Sequence, residues 1–271
     1  MSSAANTPRK LTTRMVEKVW GRTDLPDPFA APAGQRIGEI WFEPPPELEQ
    51  LLVKYLFTSE KLSVQNHPSD DNALEGEEGK EECWLVLDAE PGARLAIGFE
   101  EPIEPNAIAE AASDGTIEDL LAWHEVAPGD VYYLPAGTVH AIGPGLSLVE
   151  VQQNSDTTFR LYDYGRPREL HLERAIAVAD GGPYGEEHQT TVEKAGSTLI
   201  DRQYFRLDRI EGAPDQATIN AYQCNLLALP VSGEVRWGDG DIATGGECVL
   251  AGSIDQLDFS SAGITLLTRP N

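Results

Sequence analysis

The chain has 271 residues, room for one large domain or two small ones and enough to bury a sizeable core, so a disulfide-stapled miniprotein is excluded. With 45 acidic against 20 basic side chains the formal charge is −25, and the averaged surface repels polyanions and anionic lipid, which makes nucleic acid and membranes unexpected partners. An anionic ligand would need a few Lys or Arg to reverse that field locally.

Residues 1–8 are small and polar and are expected to fray. Charges at Arg9, Lys10, Arg14, Glu17 and Lys18 break any early apolar run, so no secretory signal is read there. No segment approaches a membrane span. Cys83, Cys224 and Cys248 are odd in number and lack CxxC spacing, which suits free buried thiols in a reducing compartment. A cytoplasmic protein is expected.

Along the chain, Ile37 to Phe42 reads as a strand stopped by three prolines, and PELEQLLVKY places Leu48, Leu51, Leu52 and Tyr55 at helical spacing, predicting a short helix. Strands follow at Tyr55 to Phe57, Leu62 to His67, Cys83 to Leu87 and Ala93 to Phe99, the last two joined by the turn Asp88-Ala89-Glu90-Pro91-Gly92. Between Pro102 and Trp123 the text becomes alanine-rich and ends in TIEDLLAW, a helical insertion in which Thr116 and Asp119 suggest an approximate capping box. Strands resume at Val131 to Leu134, Val139 to Ile142, Ser147 to Gln152 and Thr157 to Tyr162. Residues 171–196 read as a linker with at most one short helix. Strands then return at Leu199 to Arg209, Ala221 to Leu229, Gly233 to Trp237, Glu247 to Leu250 and Gly263 to Thr268.

This pattern predicts an all-β chain of two antiparallel barrels, a first domain over 1–170 and a second over 197–271. Laying PGDVYYLPAGTVH over TGGECVLAGSIDQ puts Gly129 on Gly245 and His140 on Gln256, as in an internal repeat. A metal-binding imidazole in the first half then has no counterpart in the second, which is expected to be metal-free.

Of the five histidines, two sit in the most patterned text. Gln65 and His67 are two apart on one strand and leave the same face. His140 follows the turn Pro135-Ala136-Gly137, and GDVYYLPAGTVH matches the second cupin motif in every fixed position. That spacing turns the chain so that the next strand delivers an imidazole into a barrel mouth. Glu82 opens the strand ECWLVL, with Cys83 on the opposite face. Period two leaves Glu82 and Glu78 equally eligible, and Glu77 and Glu81 are charged neighbours. Two imidazoles, a carboxylate and an amide oxygen form a donor set that zinc accepts. His124, His171 and His188 lie in charged or linker text and read as surface residues.

The strings SVQNHP, GKEECW, VLDAEPGA, GDVYYLPAGTVHAIG and QQNSDTTFRLYDYGR, in that order, resemble the type I mannose-6-phosphate isomerases, closest to their short bacterial form. The likeness is strong over about residues 15–170 and weaker beyond. It implies two cupin (jelly-roll-like) barrels and one Zn2+ per chain held by Gln65, His67, Glu82 and His140. It also implies Lys80 and Arg160 as active-site cations, Asp156 as a catalytic partner of Arg160, and Ser63 at the phosphate end of the pocket. A hexose 6-phosphate is the implied substrate, interconverted between mannose 6-phosphate and fructose 6-phosphate through an enediol. Asn66 and Cys83 depart from the family's commoner residues, both on the side away from the metal. Two other readings of the same pocket are an Fe(II)-dependent cupin oxygenase and a non-enzymatic sugar-binding cupin.

Overall fold

The structure, a computed structural model, describes residues 7–271, the side chains of 194 and 195 excepted. The expected fraying at the start of the chain falls largely outside them. The first half runs β1 (Arg9–Lys10), β2 (Thr13–Arg22), β3 (Ile37–Phe42), β4 (Leu51–Phe57), β5 (Val64–Asn66), β6 (Glu82–Ala89) and β7 (Arg94–Phe99). Helices α1 (Pro105–Asp114) and α2 (Ile117–Leu120) precede β8 (Leu121–Glu125), β9 (Asp130–Leu134), β10 (His140–Ile142), β11 (Leu146–Gln153) and β12 (Phe159–Tyr162). Then come α3 (Leu172–Val178), β13 (Gln189–Thr191), α4 (Val192–Ala195), β14 (Thr198–Asp201), β15 (Phe205–Glu211) and α5 (Gln216–Ala221). The chain closes with β16 (Leu226–Pro230), β17 (Glu234–Trp237), β18 (Asp241–Thr244), β19 (Val249–Ala251) and β20 (Ile264–Pro270).

A seven-stranded sheet, β13-β9-β6-β11-β4-β3-β2, faces a five-stranded sheet, β12-β5-β10-β7-β8. Between them Trp20, Leu56, Trp84, Leu95, Ile97 and Leu148 form the floor of the first barrel. The other face of the seven-stranded sheet, with Val53, Tyr55, Cys83, Leu85 and Val151, packs on Leu207, Leu227, Cys248 and Leu266 of a six-stranded sheet, β1-β19-β16-β20-β15-β14. Arg9 and Lys10 therefore belong to the sheet built from the C-terminal strands. That sheet and the β17-β18 hairpin enclose a second apolar interior around Tyr222, Val235, Trp237, Val249 and Leu267. The all-β expectation holds.

Several local expectations give way. Residues predicted helical through Tyr55 form only a 3-10 turn at Pro46–Leu48, followed by β4, whose seven residues are all buried. A strand buried on both faces carries a continuous apolar run that periodicity cannot tell from a helix. The capping box does not form: Thr116 has helical dihedrals, and its hydroxyl donates to Asp114 Oδ1 at 2.6 Å. Gly115 at φ 88° ends α1, and Leu121 to Trp123 are strand. The linker is more ordered than expected, contributing α3 against the five-stranded sheet and β13 to the edge of the seven-stranded one. Thr198–Glu211 makes two strands, and α5 and β18 were not foreseen. In the repeat, the left-handed glycine matching Gly129 (φ 95°) is Gly246 (φ 84°), so the match shifts by one residue and buried Leu257 stands opposite His140. Cys83 and Cys248 are buried as expected, whereas Cys224 is exposed. Among the described residues no helix is long and apolar enough to cross a membrane.

Candidate metal centre and its pocket

Strand register brings the patterned residues together. His140 on β10 lies directly opposite Gln65 on β5, and Arg160 on β12 lies opposite Gln65 from the other side. His67, just past β5, shares the Gln65 face, and its carbonyl accepts the Gly137 N–H at 2.8 Å. That bond ties the Pro-Ala-Gly turn to the first histidine and so sets the second beside it. Gly137 is at φ 86°, and a Cβ there would sit 2.6 Å from the Val178 carbonyl oxygen, so the turn has no space for a side chain. Glu82 enters from the opposite sheet at the start of β6, while Cys83 points into the inter-sheet core.

Ligand atoms of His67, Glu82 and His140 lie within 4.8 Å of one another, and all three residues are buried. Each imidazole Nδ1–H donates to a backbone carbonyl, His67 to Thr157 at 2.8 Å and His140 to Thr138 at 2.9 Å. Both Nε2 lone pairs are thereby left facing Glu82, each 3.5 Å from a carboxylate oxygen. Burial, reinforced by the Lys80 ammonium, holds His67 well below its ordinary pKa, and burial lowers His140 too. Both are the neutral form that binds metals. Burial pushes the Glu82 carboxyl up, but the Lys80 ammonium outweighs it and keeps the group ionised, below the usual carboxylate range. Gln65 Nε2 is 3.4 Å from His140 Nε2, and its Oε1 accepts from Ser63 Oγ at 2.9 Å. A half-turn of that amide would present oxygen to the cluster. Two carbonyl-backed neutral imidazoles, a carboxylate and an amide fit a divalent ion of zinc's character.

The cluster borders a narrow polar cavity between the two sheets of the first barrel. Ser63, Gln65, Lys80, Glu82 and Arg160 all line it. Lys80 Nζ hydrogen-bonds Glu82 and lies 3.0 Å from His67 Nε2. Among the described residues the Arg160 guanidinium has no ion-pair partner, and its Nε is buried without an acceptor. Asp156 is not brought in: it is exposed and lines a separate depression with Trp41, Glu77 and Glu78. The carboxylates that act on Arg160 are Asp163 and Glu169. The acidic alternatives to Glu82 are also placed elsewhere, Glu77 pairing with Arg174 at 2.9 Å and Glu81 accepting from Tyr133. Asn66 faces away from the cluster and donates to the Ala175 carbonyl, anchoring α3. His124, His171 and His188 are half-buried rather than on the surface, and His171 Nδ1 accepts the Arg160 N–H at 3.2 Å.

Sequence reasoning missed several wall residues. Lys54 of β4 pairs with Glu150 of β11 at 2.8 Å, and Glu150 also accepts from Trp84 Nε1 at 3.0 Å. Glu39, Lys18 and Arg168 line the same cavity. The available signal was a lone charge in an apolar run, LLVKYLF and SLVEV, because a charge in a doubly buried strand needs a partner or a task.

Two packed antiparallel barrels, the first with an inward His/Glu/His cluster able to hold a metal ion, define a bicupin. No family model matches the chain. It is 37% identical over 206 residues to the mannose-6-phosphate isomerase ManA of Bacillus subtilis, covering 70% of this chain and 64% of that one. It is 33% identical over 250 residues to the probable mannose-6-phosphate isomerase GmuF of the same organism, covering 87% and 73%. The crystal structure of the Bacillus subtilis mannose 6-phosphate isomerase superposes with a TM-score of 0.78 at 26% identity, over 97% of this chain and 99% of that one. The chain belongs to the type I mannose-6-phosphate isomerase family. It spans less than two thirds of the first curated relative's length, 64%.

Proposed function

We propose that this chain is a zinc-dependent aldose–ketose isomerase that interconverts mannose 6-phosphate and fructose 6-phosphate through an enediol. The observation that carries the reading is the His67, Glu82 and His140 cluster at the edge of a cavity that Glu82 shares with Arg160, whose guanidinium has no ion-pair partner among the described residues. Five cationic side chains line that cavity against three acidic ones, which reverses locally the field of a chain of charge −25. The barrel up to about residue 170 would be the catalytic unit, with 197–271 metal-free. The three cysteines are free, in keeping with a reducing cytoplasm.

Gln65, His67, Glu82 and His140 would hold the zinc. When bound, it would supply Lewis-acid stabilisation of charge on the sugar oxygens. The reaction moves one proton between C2 and C1 and one between the two oxygens, with no net gain or loss. Lys80 would donate to the oxygen on which negative charge develops. Arg160 would bind and orient the anionic substrate, with the Ser63 hydroxyl toward its phosphate. Glu150 sits in the same cavity, its carboxyl raised by burial and by Glu82 and opposed by Lys54, a shift toward the range in which a carboxyl exchanges protons. The test is fructose 6-phosphate formed from mannose 6-phosphate by purified protein before and after chelation, then with zinc restored. Undiminished turnover in metal-free protein would refute the zinc requirement, and no turnover with zinc would refute the reaction.

A further inference from the structure

The segment after β12 reverses abruptly. Tyr164 (φ 56°) and Gly165 (φ 76°) are consecutive left-handed residues, and the Arg166 N–H returns to the Asp163 carbonyl at 3.0 Å. A bulky side chain rarely adopts that conformation, and such outliers persist where the surroundings enforce them. Just before this turn lies the Asp163 carboxylate, 1% exposed. It accepts from Arg168 Nε at 2.5 Å and Nη2 at 2.6 Å, and from Arg166 Nη1 at 3.2 Å. This two-pronged grip fixes the plane of the Arg168 guanidinium. Arg168 lines the cavity, and its Nη1 has no protein partner among the described residues.

Arg160 is its neighbour. Burial and the like charge of Arg168 lower the Arg160 guanidinium below its ordinary value, opposed by Asp163 and Glu169, and both guanidinium groups line the one cavity. Arg160 stands two strands from His140 across β12-β5-β10, about 10 Å at the usual strand spacing. That is the scale separating C1 and C2 of an open-chain hexose from a phosphate on C6. The Ser63 and Thr158 hydroxyls line the same cavity.

We propose that Arg168, oriented by Asp163, closes with Arg160 a two-guanidinium clamp on the substrate's phosphate dianion, so that Arg168 is a specificity-determining residue and Asp163 a positioning residue. The proposal rests on the hexose-phosphate reading above but is tested independently of it. With zinc-loaded protein and inorganic phosphate as the probe, calorimetry should detect binding to wild type that weakens with added salt. Arg168→Gln should weaken that binding and raise KM for mannose 6-phosphate by about tenfold or more, with kcat within about threefold and zinc content unchanged. Asp163→Asn, which leaves the Arg168 charge but loosens its grip, should move phosphate affinity and KM in the same direction by less. Arg168→Lys keeps a cation beside buried Asp163 should the Gln variant not fold, and it too should lose phosphate affinity. Wild-type phosphate affinity and KM in a folded Arg168 variant would overturn the clamp, as would no phosphate binding by wild type. Wild type that binds phosphate but does not isomerise mannose 6-phosphate would sink the functional reading and leave the clamp standing.

Discussion

The two barrels share a strand pattern, yet their interiors handle charge in opposite ways. In the first, β4, β6 and β11 turn Lys54, Glu82 and Glu150 inward toward a cavity, beside two neutral histidines whose Nε2 lone pairs no backbone group uses. In the second, the inward Asp208 is wholly consumed by neighbours: Arg206 grips both oxygens, the Thr198 hydroxyl donates at 2.8 Å and Tyr222 OH donates at 2.7 Å. Apolar residues, Leu257 among them, occupy the rest of that interior. Buried polarity with spare bonding capacity marks a site, whereas buried polarity fully satisfied within the protein marks a scaffold.

The sharpest way to break this contrast is to remove one ligand from the first barrel. His140→Ala should abolish stoichiometric zinc and reduce isomerase activity by several orders of magnitude while the far-ultraviolet circular dichroism stays unchanged. Metal analysis showing full zinc in that variant would contradict the site. Arg160→Ala should retain zinc, yet kcat/KM for mannose 6-phosphate should fall by about 10²-fold or more, chiefly through KM, as expected for losing a charged contact to the substrate's phosphate. Steady-state kinetics beside zinc analysis checks the separation of the two roles.

Changes in the second barrel should register in stability alone. Asp208→Asn disturbs a network rather than a site, so it should cost about 1–3 kcal/mol in denaturant unfolding, with activity per folded molecule unchanged. A loss of turnover without a loss of stability would erase the distinction between the barrels.

The smallest effect concerns acid. Burial pushes the Glu39 carboxyl up, but Lys54, Lys18 and the Trp41 N–H outweigh it, so its folded pKa lies below the ordinary 4.5. A depressed carboxyl contributes stability that is present above the unfolded value and is lost as pH falls through the folded one. Wild-type metal-free protein should therefore lose stability from about pH 4.5 downward. Glu39→Gln should flatten that acid limb, as melting temperatures between neutral and acid pH will reveal.

Legibility from sequence followed the range of the physics involved. Gln65 and His67 share a face because a strand alternates with period two, and the Pro135-Ala136-Gly137 turn announces His140 through its fixed spacing. These are local rules, and the structure places all three residues in one cluster. Lys54 and Glu150 escaped because each looks like an isolated charge until β4 and β11 lie side by side, with Glu150 opposite Lys54 in the ladder. Asp156 was expected beside Arg160 from the family resemblance, but its exposed side chain lines a separate depression, whereas the buried Asp163 carboxylate acts on Arg160. The apolar run Leu51–Phe57 was misread as helix because its second apolar face is demanded by the six-stranded sheet, which is built largely from residues more than a hundred positions away.

The amino-acid order by itself determined most of the barrel strands, the turn before His140, the donor residue types of the cluster and the acidity that makes an internal cluster of cations informative. Residue spacing left Glu82 and Glu78 equal, the family resemblance pointed to Glu82, and tertiary structure alone decided that Arg168 joins Arg160 at the cavity and which buried charges stay unspent. The reason is that alternation and turn geometry are encoded within a few residues, whereas register between strands and the pairing of buried charges exist only once distant segments are packed against one another.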